Sequence, residues 1–157
     1  MTRLRGRAPK SQRLFASAPH GHWKTTTMIS SIRIDGSNTC MAVDGATDTE
    51  VFRAYVAEIL CPSLRRGDIV VMDNLGAHKN EQTCALIEAR GAQVLFLPPY
   101  SPEFNPIEKM WSKLKAYLRK IEARTLPDLI AAIAAALDLI TPNDAIGWFA
   151  SCGYNFI

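Results

Sequence analysis

Two acids stand out by what surrounds them. Asp73 follows the apolar run Ile69-Val70-Val71-Met72, Glu108 follows Asn105-Pro106-Ile107 at the head of a long amphipathic stretch, and 34 residues separate them. An acid ending an apolar strand faces a desolvation cost on the order of several kcal/mol unless it meets a cation or donors. Two such acids in one crevice repel, and one tends to stay protonated. A hard divalent cation resolves this, because Mg²⁺ takes oxygen ligands and readily uses one or two carboxylates with phosphate oxygens. Two ions about 4 Å apart can activate an attacking oxygen and stabilise a leaving one, but they usually need a third carboxylate as a bridge. Glu108 also has a plainer explanation. Asn-Pro-Ile-Glu has capping-box spacing, and a carboxylate in a first helical turn complements the helix dipole.

The elements that must hold these acids follow from local pattern. Ile69 to Met72, bounded by turn signals, suits a strand covered on both faces, and Asp73 sits at its carboxyl end, where open α/β sheets place ligand crevices. A helix over Glu81 to Arg90 stops at Gly91, and Gln93 to Leu97 returns as a buried strand, making a βαβ unit with parallel strands. Between Leu97 and Glu108 lie four prolines, Pro98, Pro99, Pro102 and Pro106, which fix their own φ and stiffen the approach. Asn105 suits the N-cap, Pro106 the first helical position and Glu108 the third. Ile107, Met110, Trp111, Leu114, Leu118 and Ile121 then form an apolar stripe, with Lys109, Lys113, Lys115, Arg119 and Lys120 largely off it.

Upstream, Trp23 to Ile34 reads as a strand, Asp35-Gly36-Ser37-Asn38 as a hairpin turn, and Thr39 to Val43 as the returning strand. Asp35 and Asp44 each precede a glycine, which assigns them to turns rather than catalysis. Thr47-Asp48-Thr49-Glu50 introduces a helix that Pro62 ends. Downstream, Leu126, Leu129, Ile130, Ile133, Leu137 and Ile140 mark a further amphipathic helix, and a short one follows Thr141-Pro142.

Composition sets the outer limits. The 157 residues, 48% hydrophobic and 21% charged, fit one globular domain. A basic arm or loop occupies residues 1–22, and the remaining residues 23–157 form the folded part. The longest apolar run, Leu129 to Leu137, is short of a membrane span, and no apolar run follows the basic N-terminus as in a signal peptide. The expected location is cytoplasmic, with no membrane partner. Cys40, Cys61, Cys84 and Cys152 show no C-x-x-C pair and read as small hydrophobes. His20-Gly-His22 lacks neighbours that would make a zinc site. The net charge of +3 hides an asymmetry: residues 1–34 carry seven basic groups and no acid, leaving 11 basic against 15 acidic groups in the rest. Such an arm is either a solvated terminus or an attractor for phosphates.

Met72-Asp73-Asn74-Leu75-Gly76-Ala77-His78-Lys79, followed by Leu97-Pro98-Pro99-Tyr100-Ser101-Pro102-Glu103-Phe104-Asn105-Pro106-Ile107-Glu108, resembles the catalytic half of bacterial insertion-sequence DDE transposases related to mariner. The likeness runs from the Arg-Gly-Arg-Ala-Pro loop to Cys152-Gly153-Tyr154. It implies an α/β ribonuclease-H-like mixed sheet flanked by helices. It also implies two Mg²⁺ or Mn²⁺ ions and DNA as partner, both transposon ends and target. Asp73 then matches the second acid of the triad and Glu108 the third, both catalytic and metal-binding. Asn74, His78 and Asn105 match orienting positions. Lys79 and the basic residues Arg3, Arg5, Arg7, Lys10, Lys109 and Lys113 are the expected phosphate contacts. In this family water cuts the DNA at the transposon end, and the freed 3′-hydroxyl attacks target DNA.

The family's first acid ends a central strand upstream of the loop that begins here at Thr2, and its helix-turn-helix domains lie further upstream. The expectation is therefore a fold lacking its first central strand, as in a fragment or second reading frame of a split element. An upstream polypeptide would supply the strand, and the active form would be a homo-oligomer. The alternative is a non-catalytic DNA-binding or assembly subunit, or an inactive remnant.

Overall fold

The computed structural model describes residues 6–15 and 25–154. Thr26–Ile32 (β1) and Asn38–Asp44 (β2) form an antiparallel hairpin in register from Thr26 opposite Asp44 to Ile32 opposite Asn38. Its turn closes as the sequence suggests. The Asp35 carboxylate accepts from the Ser37 amide at 2.9 Å and the Ser37 hydroxyl, which holds it below the usual carboxylate range. Gly36 has φ +84, and a Cβ there would come within 3.0 Å of the Pro142 backbone nitrogen. The position needs glycine both for its dihedral and for close approach.

Thr49–Tyr55 (α1) is capped by Asp48, whose side chain accepts from the Val51 amide, so the cap falls one residue beyond Thr47. The helix loosens into a π-turn over Val56–Leu60 and ends in Cys61–Ser63 (α2), one residue past Pro62. Ile69–Met72 (β3) and Gln93–Phe96 (β4) pair in parallel across Glu81–Glu88 (α3), which Asn80 caps. Pro106–Ile121 (α4), Leu126–Asp138 (α5) and Pro142–Ser151 (α6) follow among the described residues. No single helix among the described residues is long and apolar enough to cross a membrane.

The period of two along each strand assigns its faces. Ile29 and Met41 pack on a core of Phe52, Tyr55, Val56, Leu60 and Ile87, while Met28, Ile32 and Cys40 pack on α4 and α5 through Met110, Leu114, Leu118 and Ile133. The hairpin is thus the middle of three layers. Met110 and Leu114 are fully buried, each contributing about 1.5–3 kcal/mol by removal from water. Val70, Met72, Val94 and Phe96 share the α1 core. The opposite face of the parallel pair is open: Ile69 is 60% and Leu95 50% exposed. This corrects the expectation of a β3 covered on both faces. The α5 stripe is also narrower than its periodicity suggests, with Leu126 and Ile130 exposed and Ala132 and Ala136 buried instead.

The mixed α/β fold expected from the sequence is present, and its described strands form two two-stranded sheets, with no ladder between β1 and β3. A side-chain clasp ties them. Arg33, just after β1, donates to both carboxylate oxygens of Asp68, just before β3, at 2.6 and 2.7 Å. The Arg65 amide adds a third bond at 2.8 Å. Arg33 first, then this amide, hold the Asp68 carboxyl down at about 2.

Candidate active site

Asp73 leaves the end of β3 on the edge where β4 also ends. The Leu97 amide donates to the Met72 carbonyl at 2.8 Å, so the proline-rich loop departs beside Asp73. The Asp73 side chain is 45% exposed. Its Oδ1 accepts the Leu75 amide at 3.2 Å, an Asx turn that folds the chain into the 3₁₀ turn Gly76–Lys79. That turn returns His78, whose Nδ1 stands 2.6 Å from the same oxygen. The approach is too poorly aligned for a hydrogen bond, and this buried nitrogen has no other partner among the described residues. The contact is a close polar one that loads Oδ1 and leaves Oδ2 without a protein partner among the described residues.

The imidazole is held from behind. The Phe52 ring of α1 lies 4.3 Å from it, centroid to centroid, at 37°. Sequence reasoning missed Phe52, because an aromatic on an amphipathic stripe carries no signal beyond packing. Asn74 occupies the bend after Asp73, half-buried, with no side-chain partner among the described residues.

Glu108 stands third in α4, as its spacing predicts. The Asn105 side chain accepts from the Ile107 amide at 3.4 Å. The reciprocal half of a capping box is present at Thr141 and Asp144 but not here. Glu108 is exposed, and among the described residues its carboxylate makes no hydrogen bond or ion pair. Its approach is pinned midway, where the Tyr154 hydroxyl donates to the Phe104 carbonyl at 3.0 Å. Tyr154 was likewise not singled out as a site residue.

Asp73 and His78 are together, yet no three His, Cys, Asp or Glu side chains among the described residues gather closely enough to hold a metal. The donor set still fits a hard cation, since both acids offer free carboxylate oxygen.

Of the expected phosphate contacts, Arg7, Lys10, Lys79 and Lys109 are exposed, while Arg3 and Arg5, like His20 and His22, lie outside the described residues. Lys113 is engaged internally. Its ammonium donates to Asp144 at 2.6 Å and to the Leu139 carbonyl at 2.8 Å, tying α4 to the start of α6 and holding the Asp144 carboxyl down at about 2. The four cysteines are free, with Cys61 and Cys152 buried.

The family model of DDE superfamily endonucleases matches residues 1–130, a stretch that includes the arm, Asp73 and Glu108. Comparison with curated proteins returned no match.

Proposed function

Because the chain belongs to the DDE superfamily endonucleases, metal-dependent nucleases that act on DNA and have a ribonuclease-H-like fold, we propose that it is the catalytic part of a mariner-related insertion-sequence transposase. The observation that carries the reading is the free carboxylate oxygen of Asp73 at a strand end, beside the stiff loop that leads to Glu108, whose carboxylate has no protein partner among the described residues. Asp73 and Glu108 would hold Mg²⁺ or Mn²⁺. Bound ions would supply activation of the attacking oxygen and stabilisation of the leaving one. His78, backed by Phe52, fixes the Asp73 rotamer. The Asn105 cap fixes the helix that presents Glu108. Arg7, Lys10, Lys79 and Lys109 draw in the phosphate backbone. The substrate is DNA in the cytoplasm, at the nucleoid. In the overall exchange water cuts a phosphodiester to a 3′-hydroxyl and a 5′-phosphate, and the freed hydroxyl then attacks a target phosphodiester, displacing that target strand's own 3′-oxygen as the leaving hydroxyl.

Two carboxylates are one short of the usual set for two ions. The partner that completes the site is an upstream polypeptide contributing one strand between β1 and β3. Support comes from two unpaired strand edges that lie over one core and are tied at ends of opposite polarity by Arg33 and Asp68. A strand running parallel to β3 would end beside Asp73, where an acid could join it. The assembled, active form is a homo-oligomer.

The test is nicking of supercoiled DNA by the chain mixed with a polypeptide carrying that upstream segment, in Mg²⁺ or Mn²⁺. Asp73→Asn and Glu108→Gln should each abolish nicking while the complex still forms. Equal nicking by both variants would overturn the assignment. Salt-sensitive DNA binding without cleavage by any mixture would instead favour the non-catalytic assembly subunit.

A further inference from the structure

Tyr100 occupies an unusual position. It has φ +57, in the left-handed region, although it is neither Gly nor Asn, and its side chain is fully exposed. A bulky residue held this way is strained, and strain persists only where surrounding structure over-determines it. Here Pro98 and Pro99 precede it, Pro102 follows it, and the Ser101 hydroxyl donates back to the Pro99 carbonyl at 3.3 Å. Packing does not explain the arrangement, because the ring is wholly in solvent. The loop therefore holds an aromatic face outward at a conformational cost that glycine would avoid.

The direction is informative. Leu97 is hydrogen-bonded to Met72, and three residues of chain reach at most about 11 Å, so Tyr100 stands on the rim of the edge that carries Asp73. Leu75, 57% exposed and two residues past Asp73, adds apolar surface there, and Phe104, 45% exposed, lies further along the same proline-rich loop. Lys79 and Lys109 are exposed cations in the elements that bear Asp73's turn and Glu108. Aromatic faces interleaved with cations are what an unpaired nucleic-acid strand needs, since every base has a π-face and every linkage a negative charge.

We propose that Tyr100 is a stacking platform for an unpaired nucleobase of a DNA strand that passes the Asp73 edge. This rests on the reading that the site acts on DNA. Stacking on Tyr100 keeps the strand end splayed from its complement and in line with the acids. The ring is a binding residue for the DNA, distinct from the acids that meet the reacting atoms.

The experiment uses the full chain, without metal, and two DNA probes: a blunt duplex, and the same duplex with an unpaired 3′ tail bearing 2-aminopurine. The unsubstituted chain should quench the tail's fluorescence and prefer the tailed probe by roughly tenfold. Tyr100→Phe should keep both properties. Tyr100→Ala and Tyr100→Gly should lose both while binding the blunt duplex as before, and the glycine variant keeps the left-handed backbone without the ring. Retention of tail preference and quenching in both ring-less variants overturns the platform while the DNA reading stands. If the unsubstituted chain binds neither probe, the DNA reading fails and the platform with it. Loss of self-association in Tyr100→Ala, with DNA binding intact, would assign the ring to a protein contact and overturn the proposal.

Discussion

The hairpin has a helical layer on each face: Ile29 and Met41 lean on α1, while Met28, Ile32 and Cys40 lean on α4 and α5. The parallel pair has one such layer, and Ile69 and Leu95 meet solvent on its other face. Each region also governs one acid. Asp73 leaves the end of the parallel pair, whereas Glu108 rides on α4, whose apolar stripe packs on the hairpin. The separation of the two carboxylates is therefore set by how two separately paired sheets sit on a shared core. Asp68 and Arg33 tie them directly.

The largest effect should come from the face the two regions share. Ile87 is completely buried beneath the parallel pair, and Ile87→Ala should cost about 2–5 kcal/mol, read as a shift of the urea midpoint. A loss below about 1 kcal/mol would mean that this core is not tightly packed.

The clasp comes next. Asp68→Asn removes a bidentate, partly exposed ion pair and should cost about 2 kcal/mol. Asp68 and Asp144 titrate lower when folded than when unfolded, from 3.8 to about 2 in each case. Their contribution is thus fully present above about pH 4 and is lost as pH falls towards 2, where the unfolded chain takes up more protons. Stability measured against pH should fall in that window, and less steeply for Asp68→Asn. An unchanged slope would remove the clasp from the account.

A smaller effect of opposite sign is expected at Tyr100. Replacing a left-handed tyrosine by glycine should raise stability by about 0.5–1 kcal/mol, the relief of strain exceeding glycine's entropy cost. A lower thermal midpoint would show the conformation to be unstrained. Smallest of all is Leu95→Thr on the open face, which should change the isolated chain by under about 0.5 kcal/mol. A large loss there would mean that this face is covered.

What the sequence revealed divides along physical lines. Asn105, Pro106 and Glu108 were legible because capping depends on the few residues around a helix start, and Asp35-Gly36 was legible for the same reason. The bare face of β3 was not: an apolar run records the demand for cover, and neither Ile69 nor Val71 says whether a neighbour supplies it. The π-turn at Val56–Leu60 keeps the stripe Val56, Ile59, Leu60, so periodicity read it as uninterrupted helix. Lys113 was read as a phosphate contact, because its partner Asp144 lies 31 residues away. For His78, residue type gave only an orienting role through resemblance. Its contact with Asp73 and its backing by Phe52 depend on three elements meeting.

The hydrogen bond from Tyr154 to Phe104 joins residues 50 apart, and it changes how the loop before Glu108 can move. Fixed at Leu97, at Phe104 and at the Asn105 cap, that segment is divided into short spans, each with few accessible shapes. The entropy of ordering it is lost during folding, before any ligand arrives, rather than during binding. Cutting the middle tether with Tyr154→Phe should leave the helix and its cap in place yet slow every encounter that needs the loop in a single shape. The segment just past α6 thus acts on Glu108 at a distance, as a clamp on the number of conformations rather than on any one contact.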